Sequence, residues 1–431
     1  MGTAGSTESY DVVVVGAGPG GSAAATFLGR QGLRVALLEK SPDPEHHKTL
    51  CTHEISDGAL GTLDRLGITD ALRELGGPHA SPDVWTRYGW IRPRAEAGEP
   101  PLEQGLNVRR AKVDPLLRAL AAGTPGVELL TGVAVDEVLT AEGRVTGVVA
   151  RHRDGERTRF AARLVVAADG RSSRVADLAG LPAKERRHER LGYAAYFAGV
   201  PDDHGGVSRM WLNDPDAAYA FPTDGGEMLC AVMPLRTDEA VAAFRTDPER
   251  EIRRVLADVP GGPDLSGATM VGKPIGALKV TNQRRRAAAP GIACVGDAAM
   301  VSDYIWGTGI GYALRSAEWL GELVGPALLA GGDRRLDRAL QRYRFRHGRM
   351  LAGHYWMAND YATGRRFTPP ERLLYGAAVH DQTIARRMHE MGGRGRPVEQ
   401  LLTPALLFRA ARVRAGLARR RRHQRTPVAT G

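Results

Sequence analysis

The first strongly patterned stretch is Asp11-Val-Val-Val-Val15, an unbroken β-branched run of the kind that fills a strand covered on both faces. A helical pattern follows over about 19–31, then a second buried strand over 34–39. That order predicts a βαβ unit and a parallel sheet. Residues 56–75 are expected to be helical, with Leu60, Leu63, Leu66 and Leu72 at compatible spacing, and 112–122 form another helical pattern. The stretch 78–104, rich in Pro, Gly and aromatics, fits no single element. A meander is expected over 127–130, 133–139, 145–150 and 158–160, with turns at Glu142-Gly143 and Asp154-Gly155, leading to a buried strand over 164–168.

Between 190 and 280 the pattern changes. Alternating, aromatic segments such as Tyr193-Ala-Ala-Tyr-Phe-Ala-Gly-Val200 are broken by Pro and Gly and predict a second, antiparallel sheet. A buried strand returns at 292–295, a helix opens near Gly307, and from about 313 the pattern is mostly helical. The chain shows no internal repeat.

At 431 residues, two or three sub-structures are expected. Hydrophobic content of 43% and charged content of 25% are ordinary for a folded protein. Three scattered cysteines, without metal-ligand spacing, point to a reduced, cytoplasmic protein with no metal site. The N-terminus lacks the pattern of a signal peptide, and its first nine residues are expected to be disordered. No apolar run reaches the roughly 20 residues that span a bilayer. The net charge of +10 raises the question of nucleic acid, but the 59 basic residues are spread along the chain. The run Arg419–Arg422, with His423 and Arg425 behind it, is expected to be a solvated, poorly ordered tail, so no nucleic-acid partner is expected. An alternative for this region is a basic amphipathic helix, including residues 401–408, in weak contact with an anionic membrane surface.

The clearest chemistry lies in Gly16-Ala-Gly-Pro-Gly-Gly21. Gly16 permits the tight turn out of the strand, Gly18 lets backbone approach a pyrophosphate, and Gly21 lets helix and strand pack closely. Pro19 suits the first helical turn, and the helix N-terminus favours phosphate. Glu39 stands 21 residues after Gly18, where a carboxylate can bond ribose hydroxyls. These features together predict dinucleotide binding.

With three further segments, this turn resembles the superfamily of FAD-dependent monooxygenases related to para-hydroxybenzoate hydroxylase, which includes geranylgeranyl reductases and flavin-dependent halogenases. The segments are Asn107-Val-Arg-Arg-Ala-Lys-Val-Asp114, Val165-Val-Ala-Ala-Asp-Gly-Arg-Ser-Ser-Arg174 and Gly291-Ile-Ala-Cys-Val-Gly-Asp-Ala-Ala-Met300. The resemblance spans roughly residues 10–325. It implies an α/β fold: a Rossmann-like FAD-binding domain with an inserted antiparallel β-rich substrate domain and a helical C-terminal region. The FAD domain is expected from 1–80, 105–180 and 285–330, the substrate domain from 81–104 and 181–284, and the helical region with its basic tail from 331–431. By resemblance, Gly16, Gly18, Gly21, Glu39, Lys40, Arg110, Asp169, Asp297, Gly307, Gly309 and Ile310 hold FAD. NAD(P)H is expected as co-substrate at the same flavin, since no second glycine-rich fingerprint is present.

The resemblance also has departures. Met300 stands where aromatic hydroxylases have histidine, and Tyr304 where they have proline. Trp90-Ile-Arg-Pro93 does not match the halogenases' Trp-x-Trp-x-Ile-Pro. Lys48-Thr-Leu-Cys51 and residues 56–60 look like the cysteine-bearing stretch of geranylgeranyl reductases, and Tyr219-Ala-Phe-Pro222 partly matches another of their sequences. Tyr304 and Trp306 are expected beside the flavin, and Trp211, Tyr219 and Phe221 in the wall of a small-molecule substrate pocket. His53 is a candidate acid or base, because imidazole titrates near neutral pH. Three functions follow: monooxygenation of a small molecule of the natural-product kind, by hydroxylation or epoxidation, as the leading reading; reduction of an isoprenoid or activated double bond; and a non-redox cyclase or binding module that retains its flavin. The sequence carries no signal about oligomeric state.

Overall fold

The protein is described by a computed structural model covering residues 6–51, 53–75, 81–95, 98–99 and 101–425, with side chains given up to residue 420. The expectation of disorder for the first nine residues therefore falls partly outside the described residues. Strand Thr7–Val15 already begins at Thr7, correcting that expectation for its last three positions. The correction has a pairing origin: Thr7 to Tyr10 lie parallel against Arg159 to Ala162.

The main sheet runs, in spatial order, Ala288–Ala289, Ile292–Cys294, Arg157–Ala167, Thr7–Val15, Val35–Glu39 and Val127–Thr131. Its centre is the apolar run read from the sequence. Val12, Val13 and Val14 are fully buried, as are Val165 and Val166 beside them. Each such side chain contributes roughly 1.5–3 kcal/mol by leaving water, so five in adjacent strands outweigh any local turn preference. Two expectations change here. Val127–Thr131 does not begin the meander; it pairs in parallel with Val35–Glu39 after the crossover helix Arg110–Ala122. The last two expected strands are one, Arg157–Ala167, whose first half pairs with Arg144–Arg151 and whose second half enters the parallel sheet. Residues 56–75 form two short helices, Leu60–Leu66 and Thr69–Glu74, separated at Gly67.

A second, seven-stranded sheet has the order Thr269–Ala277, Gly192–Ala198, Met228–Met233, Ala217–Pro222, Arg209–Leu212, Asp83–Thr86 and Gly89–Ile91. Its two faces do different work. One packs on helices Asp238–Thr246 and Pro248–Ala257 through Phe197, Trp211, Phe244 and Ile252. The other turns Met210, Leu212, Tyr219 and Phe221 toward Phe367 and Tyr375 of the C-terminal part. Helices Gly309–Leu329, Asp333–Ala362, Pro369–Ala378, Gln382–Gly393, Val398–Leu401 and Pro404–Arg425 make up that part. The tail expected to be poorly ordered thus continues as helix through Arg425. Leu406 and Ala410 on this helix are buried in the core beneath the second sheet, while Phe408 is exposed. No helix among the described residues is long and apolar enough to cross a membrane.

The glycine turn ties the main sheet to its first helix. Gly16 has φ +100°, and a Cβ on Gly21 would lie 1.8 Å from the Gly16 carbonyl oxygen. Gly21→Ala must therefore push helix Pro19–Gly29 off the sheet, at a cost of about 1–3 kcal/mol or more. Thermal unfolding is expected to show a lowered Tm, while Gly32→Ala, with nothing within 4 Å of its Cβ but φ +88°, is expected to change it less.

Candidate active site

A cleft of about 730 Å³ opens at the carboxyl ends of the parallel strands. Its floor includes Gly16, Gly18, Glu39, Lys40, Arg110, Asp169, Asp297, Gly309 and Ile310. No side chain caps helix Pro19–Gly29, so its first N–H groups face the cleft for a ligand phosphate. A Cβ on Gly18 would meet nothing within 4 Å, which leaves that side of the turn open to a pyrophosphate. Glu39 braces the turn by accepting from Ala17 N and Ser41 N, both at 2.9 Å. Arg110 forms a buried, two-pronged pair with Asp114. Asp169 accepts from Ser173 Oγ and Val175 N, the latter at 3.0 Å, and so anchors the helix Arg174–Leu178. Asp297 accepts from Lys48 Nζ at 2.8 Å. Burial alone would raise its carboxyl, but Lys48, with Arg171 and Arg110 nearby, holds it below the usual range. A glycine cradle, an uncapped helix and an ionised aspartate in one cleft fit a flavin adenine dinucleotide.

Beyond the cleft lie two cavities. The first, about 100 Å³, shares Lys48, Leu50, Cys51, Asp297, Gly309 and Ile310 with the cleft. The second, about 150 Å³, is walled by Val84, Met210, Leu212, Phe221, Tyr375 and Met388 among others. Between them stands the short helix Tyr304–Trp306. Tyr304 lines the first cavity and Trp306 the second. The Tyr304 hydroxyl and the Trp306 Nε1 are both buried without a hydrogen-bond partner. Asp303 fixes this wall: it accepts from Ile305 N at 3.2 Å and from Arg190 Nη1 at 2.8 Å, and Arg190 reaches the carbonyls of Pro215 and Tyr361. Because Arg190 and Asp303 are fully buried, the pair holds only through these extra bonds, and it locks the wall to helix Asp333–Ala362.

The sequence did not single out Glu54, the residue that lines both cavities. Its strand, Glu54–Ile55, pairs with Leu106–Asn107. The carboxyl lies against Gly307, where a Cβ would come 2.0 Å from Oε2. Burial pushes this carboxyl up to about 8; Arg394 pulls it down and Asp57 adds to the rise. The missed signal was weak: a lone glutamate two residues before Ser56 has no periodicity to mark it.

Two candidates are corrected. Trp211 sits on the far face of the second sheet, edge-on to Trp90, with Nε1 donating to the Pro260 carbonyl at 2.9 Å. Strand parity is the cause: in Arg209–Leu212, Met210 and Leu212 face the cavity, so Trp211 cannot. Tyr219 and Phe221, two apart, do line it. His53 lines none of these three cavities. Its Nδ1 accepts from Arg110 N at 3.0 Å and its Nε2 meets the Tyr196 hydroxyl, so both ring nitrogens are engaged. Burial pushes it down to about 3, which makes it a neutral brace rather than an acid or base.

Residues 9–350 match the family described as FAD binding domain. The chain is 28% identical over 355 residues to the digeranylgeranylglycerophospholipid reductase of Methanothrix thermoacetophila, covering 80% of this chain and 85% of that protein. It is 31% identical over 271 residues to the 3-(3-hydroxy-phenyl)propionate/3-hydroxycinnamic acid hydroxylase of Paraburkholderia xenovorans, covering 58% and 40% respectively. The fold superposes on the flavin-dependent brominase Bmp2 with a TM-score of 0.75 at 17% identity, covering 96% of this chain and all of that one.

Two outcomes are expected at this site. Arg110→Ala and Asp297→Ala should each weaken FAD binding by about tenfold or more, read as a fall in the flavin-to-protein absorbance ratio and in a titration of apoprotein. The second outcome concerns acid. Burial pushes His53 down to about 3, and His347 and His354 to about 4. Unfolded histidine titrates near 6.5, so below that pH the unfolded chain binds more protons and stability falls until these groups protonate in the fold. Tm should drop between pH 7 and pH 4.5, with a shallower drop in His53→Asn.

Proposed function

Since the chain belongs to the FAD binding domain family and is an FAD-dependent oxidoreductase, we propose that it reduces a carbon–carbon double bond in an elongated, largely apolar small molecule held in the second cavity. The observation that carries this reading is Glu54. It lies where the two cavities meet, and among the described residues nothing hydrogen-bonds its carboxyl. Saturating an alkene places hydride on one carbon and a proton on the other, and the acid that gives the proton must hold it at the working pH. With its carboxyl pushed up to about 8, Glu54 holds that proton at neutrality. Gly307 leaves the room its Oε2 occupies.

FAD, once bound, supplies the reducing equivalents, with NAD(P)H as their source in this reading. Lys48 steadies Asp297 at the near end of the first cavity. Met210, Leu212, Tyr219 and Phe221 keep water from the far side. The likeness to the Methanothrix thermoacetophila reductase, whose name describes action on a digeranylgeranylglycerophospholipid, extends over 80% of the chain, against 58% for the hydroxylase. A second reading, oxygenation of the same substrate with O₂, is favoured by the aromatic wall of Tyr219, Phe221 and Trp306, which suits a closed, dry pocket.

FAD-loaded protein incubated anaerobically with NADPH and geranylgeraniol is expected to give a product two mass units heavier. A product that gains an oxygen atom, with matching O₂ uptake, moves the assignment to oxygenation. Glu54→Gln should keep flavin occupancy but lower turnover by about 10²–10⁴-fold. In the wild type the rate should fall as pH rises through about 8, because the deprotonated carboxylate has no proton to give.

A further inference from the structure

The second cavity contains a cation that forms no ion pair among the described residues. Arg394 is 6% exposed and lines the cavity. Its guanidinium makes one hydrogen bond, Nη1 to the Gly392 carbonyl at 2.6 Å. Among the described residues no carboxylate comes within ion-pair distance of it. Glu54 and Asp57 line the same cavity, but burial raises both carboxyls, Glu54 to about 8, so Glu54 does not bring a counter-charge at neutral pH. An unpaired buried charge costs several kcal/mol.

The backbone adds a second, independent cost. Arg394 ends helix Gln382–Gly393 with φ +55°, in the left-handed conformation. Glycine takes this position freely, whereas a residue with a Cβ loses about 1–2 kcal/mol. Gly392, Gly393 and Gly395 surround it, yet the arginine holds the strained position. The conformation is clamped from behind: the guanidinium of Arg315 donates to the carbonyls of Arg394 and Gly395. Strain that the surroundings enforce in this way recurs at ligand-binding positions. A further unpartnered donor, Trp306 Nε1, lines the same cavity.

We propose that Arg394 receives the anionic head group, a carboxylate or phosphate, of an amphipathic substrate whose apolar part lies along Met210, Leu212, Phe221 and Tyr375. This rests on the reading of the second cavity as the substrate site. The planar guanidinium fork matches either anion with two parallel bonds. Trp306 Nε1 offers a donor to a polar group further along the ligand. Because the family match ends at residue 350, the head-group site belongs to the C-terminal helices of this chain rather than to the shared FAD-binding part.

Calorimetric titration of the full-length, FAD-loaded protein with dodecanoate, dodecyl phosphate and 1-dodecanol, each below its micelle concentration, tests this. Wild type should bind at least one anion about tenfold or more tighter than the alcohol, and the better anion identifies the head group. Arg394→Gln should remove that preference while leaving affinity for the alcohol and flavin occupancy within about twofold. Arg394→Lys, a point charge without the fork, covers the case in which the glutamine variant does not fold; its preference should fall at least threefold. Equal binding of all three probes to wild type overturns the anion site and leaves the cavity reading intact. A preference that survives in the folded variants also overturns it. If no probe binds, the proposal falls together with the assignment of the cavity to substrate.

Discussion

The fold is organised around a close approach: the turn Gly16–Gly21 pressed between the end of strand Thr7–Val15 and the carbonyl of Ala168, 2.6 Å from where a Cβ on Gly16 would sit. Only a backbone without side chains fits there. That approach fixes where helix Pro19–Gly29 begins, and with it the direction of its free N–H groups. It also fixes the separation between the turn and Asp169, the next residue along, so that cleft, dinucleotide helix and acidic anchor are set by one contact. Everything downstream is positioned relative to this line, including Asp297 at the end of the adjacent strand Ile292–Cys294.

From that line the chemistry extends outward through three linked spaces. The cleft holds the ionised groups, the first cavity is bordered by Lys48 and Asp297, and the second is mostly apolar. Charge thus decreases with distance from the nucleotide end, until Arg394 reverses the trend. Glu54 stands at the change of character. Its neutrality follows from burial, and its position follows from the missing side chain at Gly307. The wall between the cavities is kept rigid by the buried Arg190–Asp303 pair, whose breaking would leave a lone charge at zero exposure.

Much of this was legible in the sequence, and the reason is local. The glycine turn, the buried valine run and the α/β order depend on backbone demands and periodicities that neighbouring residues reveal. The FAD binding domain and its α/β class follow from them. Parity within a short strand was less legible: Trp211 and Tyr219 both look like pocket aromatics, yet only Tyr219 faces the cavity, because a pairing register sets the face. His53 looked reactive as a residue type and proved to be held at both nitrogens. Glu54 and Arg394 were not legible at all. They lie 340 residues apart in the chain, and what distinguishes them, a place in the cavity wall without an ion-pair partner among the described residues, exists only after the C-terminal helices fold back over the second sheet.

The second cavity also has an order of assembly. Its inner wall comes from strands Asp83–Thr86, Gly89–Ile91, Arg209–Leu212 and Ala217–Pro222, while its outer wall is Met357, Tyr375, Ala385, Met388 and Arg394. The residues that line the cleft all lie at or before Ala313. The lining of the cleft is therefore translated before the outer wall of the cavity. A chain stopped before helix Asp333–Ala362 would contain every residue that lines the cleft, yet would leave Met210, Leu212 and Phe221 without Met357, Tyr375, Ala385 and Met388 over them.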